Sequence, residues 1–184
     1  VAPFYYKFSF EEIKKFYFDI VDAVNLPMLI YNFPAFSGVN LTVNNIKEFL
    51  NDDRFIGVKH TSSDYFALEQ FKAAFPDKLV YNGYDEMFLA GLSMGADGAI
   101  GSTFNFMAEK FIKIRQLFLE NDAQAAQKVQ KEANMLIEDF MLLANKTIAE
   151  TMAKPGSRFK DYTFVFRVHD EPNPEKLYNF IQLV

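Results

Sequence analysis

Apolar positions along the chain alternate between two periods. Ile13, Phe16, Tyr17, Ile20, Val21 and Val24 recur at helical spacing, and Ser9 with Glu12 three residues on forms a capping-box signature ahead of them. Pro27 ends that helix. Met28 to Tyr31 is a short apolar run of strand length, closed by Asn32 and Pro34. The sequence then repeats the theme. Thr42 can cap a helix carrying Ile46, Phe49 and Leu50, and Phe55 to Lys59 reads as a strand with Gly57 inside it. Asp64 can cap a helix carrying Leu68, Phe71 and Phe75, followed by a strand from Leu79 to Asn82. Glu86 to Met94 reads as a short helix stopped by Gly95 as its C-cap, and Gly98 to Gly101 as a strand of small residues. Two long amphipathic helices follow. One carries Phe104, Met107, Phe111, Ile114 and Phe118, the other Ala126, Val129, Ala133, Ile137 and Phe140.

Strands that alternate with helices imply βα units and a parallel sheet. From about Asn145 the pattern breaks. Lys154-Pro155-Gly156-Ser157 is a turn cluster, Thr163 to Val168 reads as a strand, and His169 to Pro174 as a loop.

Composition narrows the chemistry. Half of the 184 residues are hydrophobic and 23% are charged, a balance that supports a buried core. There is no cysteine, so thiol nucleophiles, disulfides and cysteine-ligated zinc are excluded. The two histidines, His60 and His169, lie far apart, against a histidine-rich metal cluster. A net charge of −5 argues against nucleic acid as a partner. No apolar run reaches the ~18 residues of a membrane span, and the N-terminus lacks the basic-then-apolar pattern of a signal peptide. These features predict a cytoplasmic globular protein.

The strand ends carry the polar residues. Tyr31-Asn32, Lys59-His60-Thr61 and Asn82-Gly83-Tyr84-Asp85 close three strands, and Gly101-Ser102-Thr103 closes the fourth. In α/β folds the site lies at those C-terminal strand ends. No glycine-rich phosphate fingerprint follows any strand, against nucleotide binding. A free lysine titrates near ~10.4. Burial of Lys59 at its strand end disfavours the ammonium, and a value of ~7–8 makes a Schiff-base nucleophile. Against this stands the commoner fate of a lysine just past a strand, full exposure. Tyr31 can shuttle a proton, or simply pack. Asp85 and Glu86 suit polyhydroxyl recognition, because ionised oxygens accept hydrogen bonds from sugar hydroxyls; they also suit a helix start. Ser102 and Thr103 read equally as an N-cap.

Four segments carry a resemblance. Tyr31-Asn32-Phe33-Pro34-Ala35-Phe36-Ser37-Gly38-Val39 resembles the YNxPxxSGV segment of the N-acetylneuraminate lyases, and Gly57-Val58-Lys59-His60-Thr61-Ser62 is similar to their Schiff-base lysine strand. Tyr81-Asn82-Gly83-Tyr84-Asp85-Glu86 and Gly95-Ala96-Asp97-Gly98-Ala99-Ile100-Gly101-Ser102-Thr103 resemble two further segments of the same enzymes. The wider group is the pyruvate-dependent class I aldolases, which include dihydrodipicolinate synthase. Where that enzyme carries a carboxylate-binding arginine after the YNxP motif, this chain has Ala35-Phe36-Ser37.

The resemblance implies a (β/α)8 TIM barrel and cleavage of N-acetylneuraminate to N-acetylmannosamine and pyruvate. It implies Lys59 and Tyr31 as the catalytic pair, with Thr61, Gly83, Asp85, Glu86 and Ser102 holding the sugar. It further implies Tyr5, or Tyr6, at a subunit interface, a tetramer, and no cofactor beyond the covalent Schiff base on lysine.

A complete barrel needs about 250 residues. Residues 1–144 therefore read as its C-terminal half, the end of strand four through strand eight followed by C-terminal helices, and residues 145–184 as a divergent tail. Val1 in place of Met fits an N-terminal loss. Half a barrel exposes two strand edges, and the chain alone is expected to be inactive or nearly so. Two other readings follow: another pyruvate-dependent sugar-acid aldolase or a dihydrodipicolinate synthase-like enzyme, and a non-catalytic truncated paralogue that pairs with a full-length subunit.

Overall fold

The structure is a computed structural model that describes residues 1–24, 26–154 and 158. Four strands, β1 (Met28–Asn32), β2 (Phe55–His60), β3 (Leu79–Asn82) and β4 (Gly98–Ala99), form one sheet in the order β1-β2-β3-β4. All three pairings are parallel, as the βα alternation predicts. The end of strand four expected at the start of the chain is not seen: no strand precedes β1 among the described residues. The expected strand and loop at 163–174 lie outside the described residues.

The helices are α1 (Phe10–Val24), α2 (Pro34–Ser37), α3 (Val43–Leu50), α4 (Tyr65–Ala74), α5 (Phe88–Ser93), α6 (Phe104–Leu119) and α7 (Ala123–Ala153). Their starts follow the caps read from the sequence. Glu12 accepts from the Ser9 amide at 2.7 Å, Thr42 accepts from the Asn45 amide at 3.3 Å, and Asp64 from that of Ala67 at 3.0 Å. Gly95 stops α5 with φ of +89°, a left-handed value that a side chain would strain, and Ala96 donates back to the Gly91 carbonyl at 3.0 Å.

Two expectations are corrected. The helix expected over Glu86 to Met94 opens as a 3₁₀ turn, Asp85–Met87, before α5. The strand expected over Gly98 to Gly101 pairs only at Gly98 and Ala99. α2 is additional; Pro34 at its first turn supplies the fixed φ that a helix start needs.

Burial alternates along the strands with period two. Ile30, Val58 and Val80 point one way and are buried under α1, α3 and α4 side chains, among them Val21, Ile46, Phe49, Leu68 and Phe71. Leu29, Tyr31, Lys59, Leu79 and Tyr81 point the other way and are only half-buried. A second apolar cluster joins Phe88 and Leu92 of α5 to Phe111 and Ile114 of α6 and Ala126 and Ala133 of α7. The chain divides into two compact units, Val1–Ile137 and Glu138–Val184. In the second, α7 continues through Asn145, where the sequence pattern falters, to Ala153; Phe140, expected on its buried stripe, is exposed along with Met141, Leu142 and Leu143. Among the described residues no helix is long and apolar enough to cross a membrane.

Candidate active site

The register of the sheet gathers the strand-end residues into rows. Tyr31 pairs with Lys59, and Lys59 with Tyr81, so the three side chains lie abreast on the half-buried face. The Lys59 ammonium sits 4.1 Å from the centroid of the Tyr31 ring, over its face. Such contact is a cation–π attraction.

One residue further, Asn32, His60 and Asn82 form a second row on the opposite, buried face. His60 Nε2 faces the Asp64 carbonyl at 3.1 Å, so this nitrogen must carry the proton and donate. Nδ1 is then free to accept from Asn32 Nδ2 at 3.0 Å. His60 is 1% exposed, and burial holds its imidazole below the ordinary value, in the neutral form. Tyr65 donates to Asn82 Oδ1 at 3.0 Å, and Asn82 Nδ2 donates to the Tyr84 carbonyl at 2.6 Å. Burial, with Glu86 and Tyr84 nearby, pushes the Tyr65 phenol upward and keeps it a donor.

The loops after the strands are tied sideways in sequence. Thr61 donates its amide to the Asn32 carbonyl, Gly83 to that of His60, and Ile100 to that of Asn82, at 2.9, 2.9 and 3.0 Å. Gly83 lies so close to Thr61 that a Cβ at this position would overlap the Thr61 side chain. Thr61 is 4% exposed, and its hydroxyl has no partner within the described residues. A buried hydroxyl without a partner costs about 1–3 kcal/mol.

The sugar-binding residues expected from the sequence separate here. Asp85 is buried, and its Oδ2 accepts from the Thr103 amide at 2.8 Å and the Thr103 hydroxyl at 2.6 Å, fastening the start of α6. Glu86 and Ser102 are exposed. Tyr5 is 85% exposed and stacks on Phe4 at 4.9 Å.

The sequence marks Asn32, His60 and Asn82 as strand-end polar residues without giving them a role, and it does not single out Gln130 or Phe33. The signal for the first three was present: three consecutive strands end in a large residue followed by a polar one. Gln130 of α7 carries no local signal. It bonds the Asp85 carbonyl at 3.1 Å and the Leu89 amide at 3.0 Å, both distant in sequence.

A hollow of about 200 Å³ lies elsewhere, beside β4, lined by Phe88, Ala99, Phe104, Phe111, Ile112 and Arg115. It is apolar and holds no nucleophile, so the strand-end rows are the better candidate site. Among the described residues no group of three or more His, Asp or Glu side chains gathers to hold a metal ion.

The dihydrodipicolinate synthetase family model matches residues 1–158. The chain belongs to that family. Within it, the chain is 42% identical over 160 residues to the N-acetylneuraminate lyase of Rhizobium meliloti (strain 1021), covering 85% of this chain and 53% of that protein. CdNal of Clostridium difficile in complex with mannosamine superposes with a TM-score of 0.74 at 40% identity, over 78% of this chain and 49% of that one. The N-acetylneuraminate lyase of Fusobacterium nucleatum complexed with pyruvate gives 0.72 at 35% identity, over all of this chain and 61% of that one. The chain thus spans about half the length of these relatives. Its four parallel strands and their helices are a partial version of the family's barrel, and the family match runs past residue 144.

Proposed function

We propose that this sequence encodes the lysine-bearing half of a Schiff-base aldolase that cleaves N-acetylneuraminate to N-acetylmannosamine and pyruvate. The observation that carries the reading is the Lys59–Tyr31 pair, in register on adjacent strand ends, in a member of a family whose named relatives are N-acetylneuraminate lyases. Within that reading, the neutral Lys59 amine adds to the C2 ketone of the open-chain sugar acid. The carbinolamine expels water and leaves a protonated imine. Tyr31 takes the proton of the C4 hydroxyl, assisted by the substrate carboxylate. The C3–C4 bonding electrons move into the imine, releasing N-acetylmannosamine and leaving an enamine. Protonation at C3 and addition of water then free pyruvate and restore Lys59.

Thr61, Gly83, Asp85, Glu86 and Ser102 line the sugar side in this proposal. Asp85 supports that role most directly: its Oδ1, with no hydrogen-bond partner among the described residues, can accept a sugar hydroxyl while Oδ2 holds Thr103. The proposal places the enzyme in the cytoplasm, as a tetramer with Tyr5 at a subunit contact, and with no metal or organic cofactor.

Pyruvate with borohydride tests it. Reduction traps the imine, and peptide mapping locates the added mass. A single adduct on Lys59, lost in Lys59→Arg, is the expected outcome. Scattered labelling over several lysines, or none, overturns the proposal for this chain.

A further inference from the structure

Two neighbours meet the Tyr31 ring. Lys59 lies over the ring, and Phe33 stacks on it with centroids 5.8 Å apart and planes inclined by 21°. Phe33 is itself held by Phe36, stacked at 5.7 Å, and by the edge of Tyr84 at 6.4 Å. The column goes on through Phe4, 4.7 Å from Phe36, to Tyr5. The backbone fixes its base. Pro34 keeps the preceding residue out of the helical region, and Phe33 has φ of −131° and ψ of 79°. The Phe33 carbonyl accepts from the Ser37 amide at 2.9 Å and the Ser37 hydroxyl at 3.0 Å. The Phe33 ring therefore has little freedom, and neither does the ring resting on it.

We propose that Phe33 is a positioning residue: it keeps the Tyr31 ring face-on to the Lys59 nitrogen, so that the ring carries that nitrogen's positive charge. The nitrogen becomes cationic as the protonated imine forms, and the aromatic face stabilises that charge while the phenol at its rim remains available for the proton transfer. The catalytic part of this inference rests on the Schiff-base reading; the geometric part does not.

The two parts are tested separately on the full chain. Lysines are reductively methylated with ¹³C-formaldehyde, which retains the charge, and the Lys59 signal is assigned by its loss in Lys59→Arg. Methyls over an aromatic face resonate upfield, so the Lys59 methyls are expected upfield of the other lysines. They should stay there in Tyr31→Phe and Phe33→Tyr, and return toward the others in Tyr31→Leu and Phe33→Leu. Phe33→Leu preserves apolar bulk, and circular dichroism confirms that the variant is folded. An unshifted Lys59 signal in the parent chain, or an upfield one in folded Phe33→Leu, overturns the proposal whatever the chain does with pyruvate. In the trapping reaction, Phe33→Leu should slow adduct formation at Lys59 by about three- to tenfold, with Phe33→Tyr restoring the rate. A parent chain that traps nothing while showing the upfield signal sinks the Schiff-base reading and leaves the positioning role standing. An unchanged trapping rate in Phe33→Leu overturns the catalytic part alone.

Discussion

Single residues at the strand ends make opposite demands on stability. Thr61 buries a hydroxyl with no partner among the described residues, so Thr61→Val, which replaces it with a methyl of similar size, is expected to leave stability unchanged or raise it by up to about 1 kcal/mol. The same change should weaken sugar binding. Urea unfolding of both proteins checks the first half; a loss of more than about 1 kcal/mol would show that the hydroxyl has a structural partner. His60 makes the other demand. Its folded-state pKa lies below the ordinary value near 6.5, whereas the unfolded chain protonates at that value. The stability held in this neutral imidazole is complete above about pH 6.5 and falls as the pH drops toward the depressed folded value. Urea midpoints measured from pH 7.5 to 5.5 should decline more steeply in the parent than in His60→Gln; equal slopes would remove His60 from the account. Lys59 and Tyr31 stood out in the sequence because each ends an apolar strand. Phe33 did not, because its significance is a ring stacking that no spacing rule encodes.

The elements show how far a periodic pattern reaches. β1, β2 and β3 and the helices α1, α3 and α4 were legible because cap chemistry marks where the helices begin, as at Ser9 with Glu12, Thr42 and Asp64. β4 was overextended because small residues carry no period. Phe140 was placed on the wrong face because the apolar stripe of α7 was extrapolated past its last buried residues. The join between α5 and α7 was not legible at all, since it depends on contacts distant in sequence. The Leu89 amide lies in the first turn of α5, where no intrahelical carbonyl is available, and Gln130 supplies the acceptor. Gln130→Leu would strand this amide and leave the Asp85 carbonyl with the Phe88 amide alone, and is expected to cost about 2 kcal/mol in a denaturant titration. A cost below about 0.5 kcal/mol would mean that water replaces the side chain at both groups.

At the scale of the molecule, four strands do the work of positioning but do not enclose a site. The face that carries Leu29, Tyr31, Lys59 and Tyr81 is half-buried, and a closed barrel packs such side chains in layers from both halves. Cleavage of N-acetylneuraminate by this chain alone is expected to run at least about a hundredfold below a complete family member, because small misplacements of reacting groups carry penalties of that order. A pyruvate-release assay on the two proteins side by side checks this, and comparable rates would refute it. The strand order has another consequence, for the way the chain acquires its shape. Each strand pairs with the next one along, so every rung of the sheet closes a short loop, and the loss of chain entropy is taken in small instalments. A polypeptide emerging from its N-terminus can complete β1 against β2 before β3 exists, and β3 before β4. The Tyr31–Lys59 pair belongs to the first of these steps; α1 and α3, which cover these two strands, precede β2 in the chain, so the pair can form with that cover in place and before α4 to α7 have been synthesised.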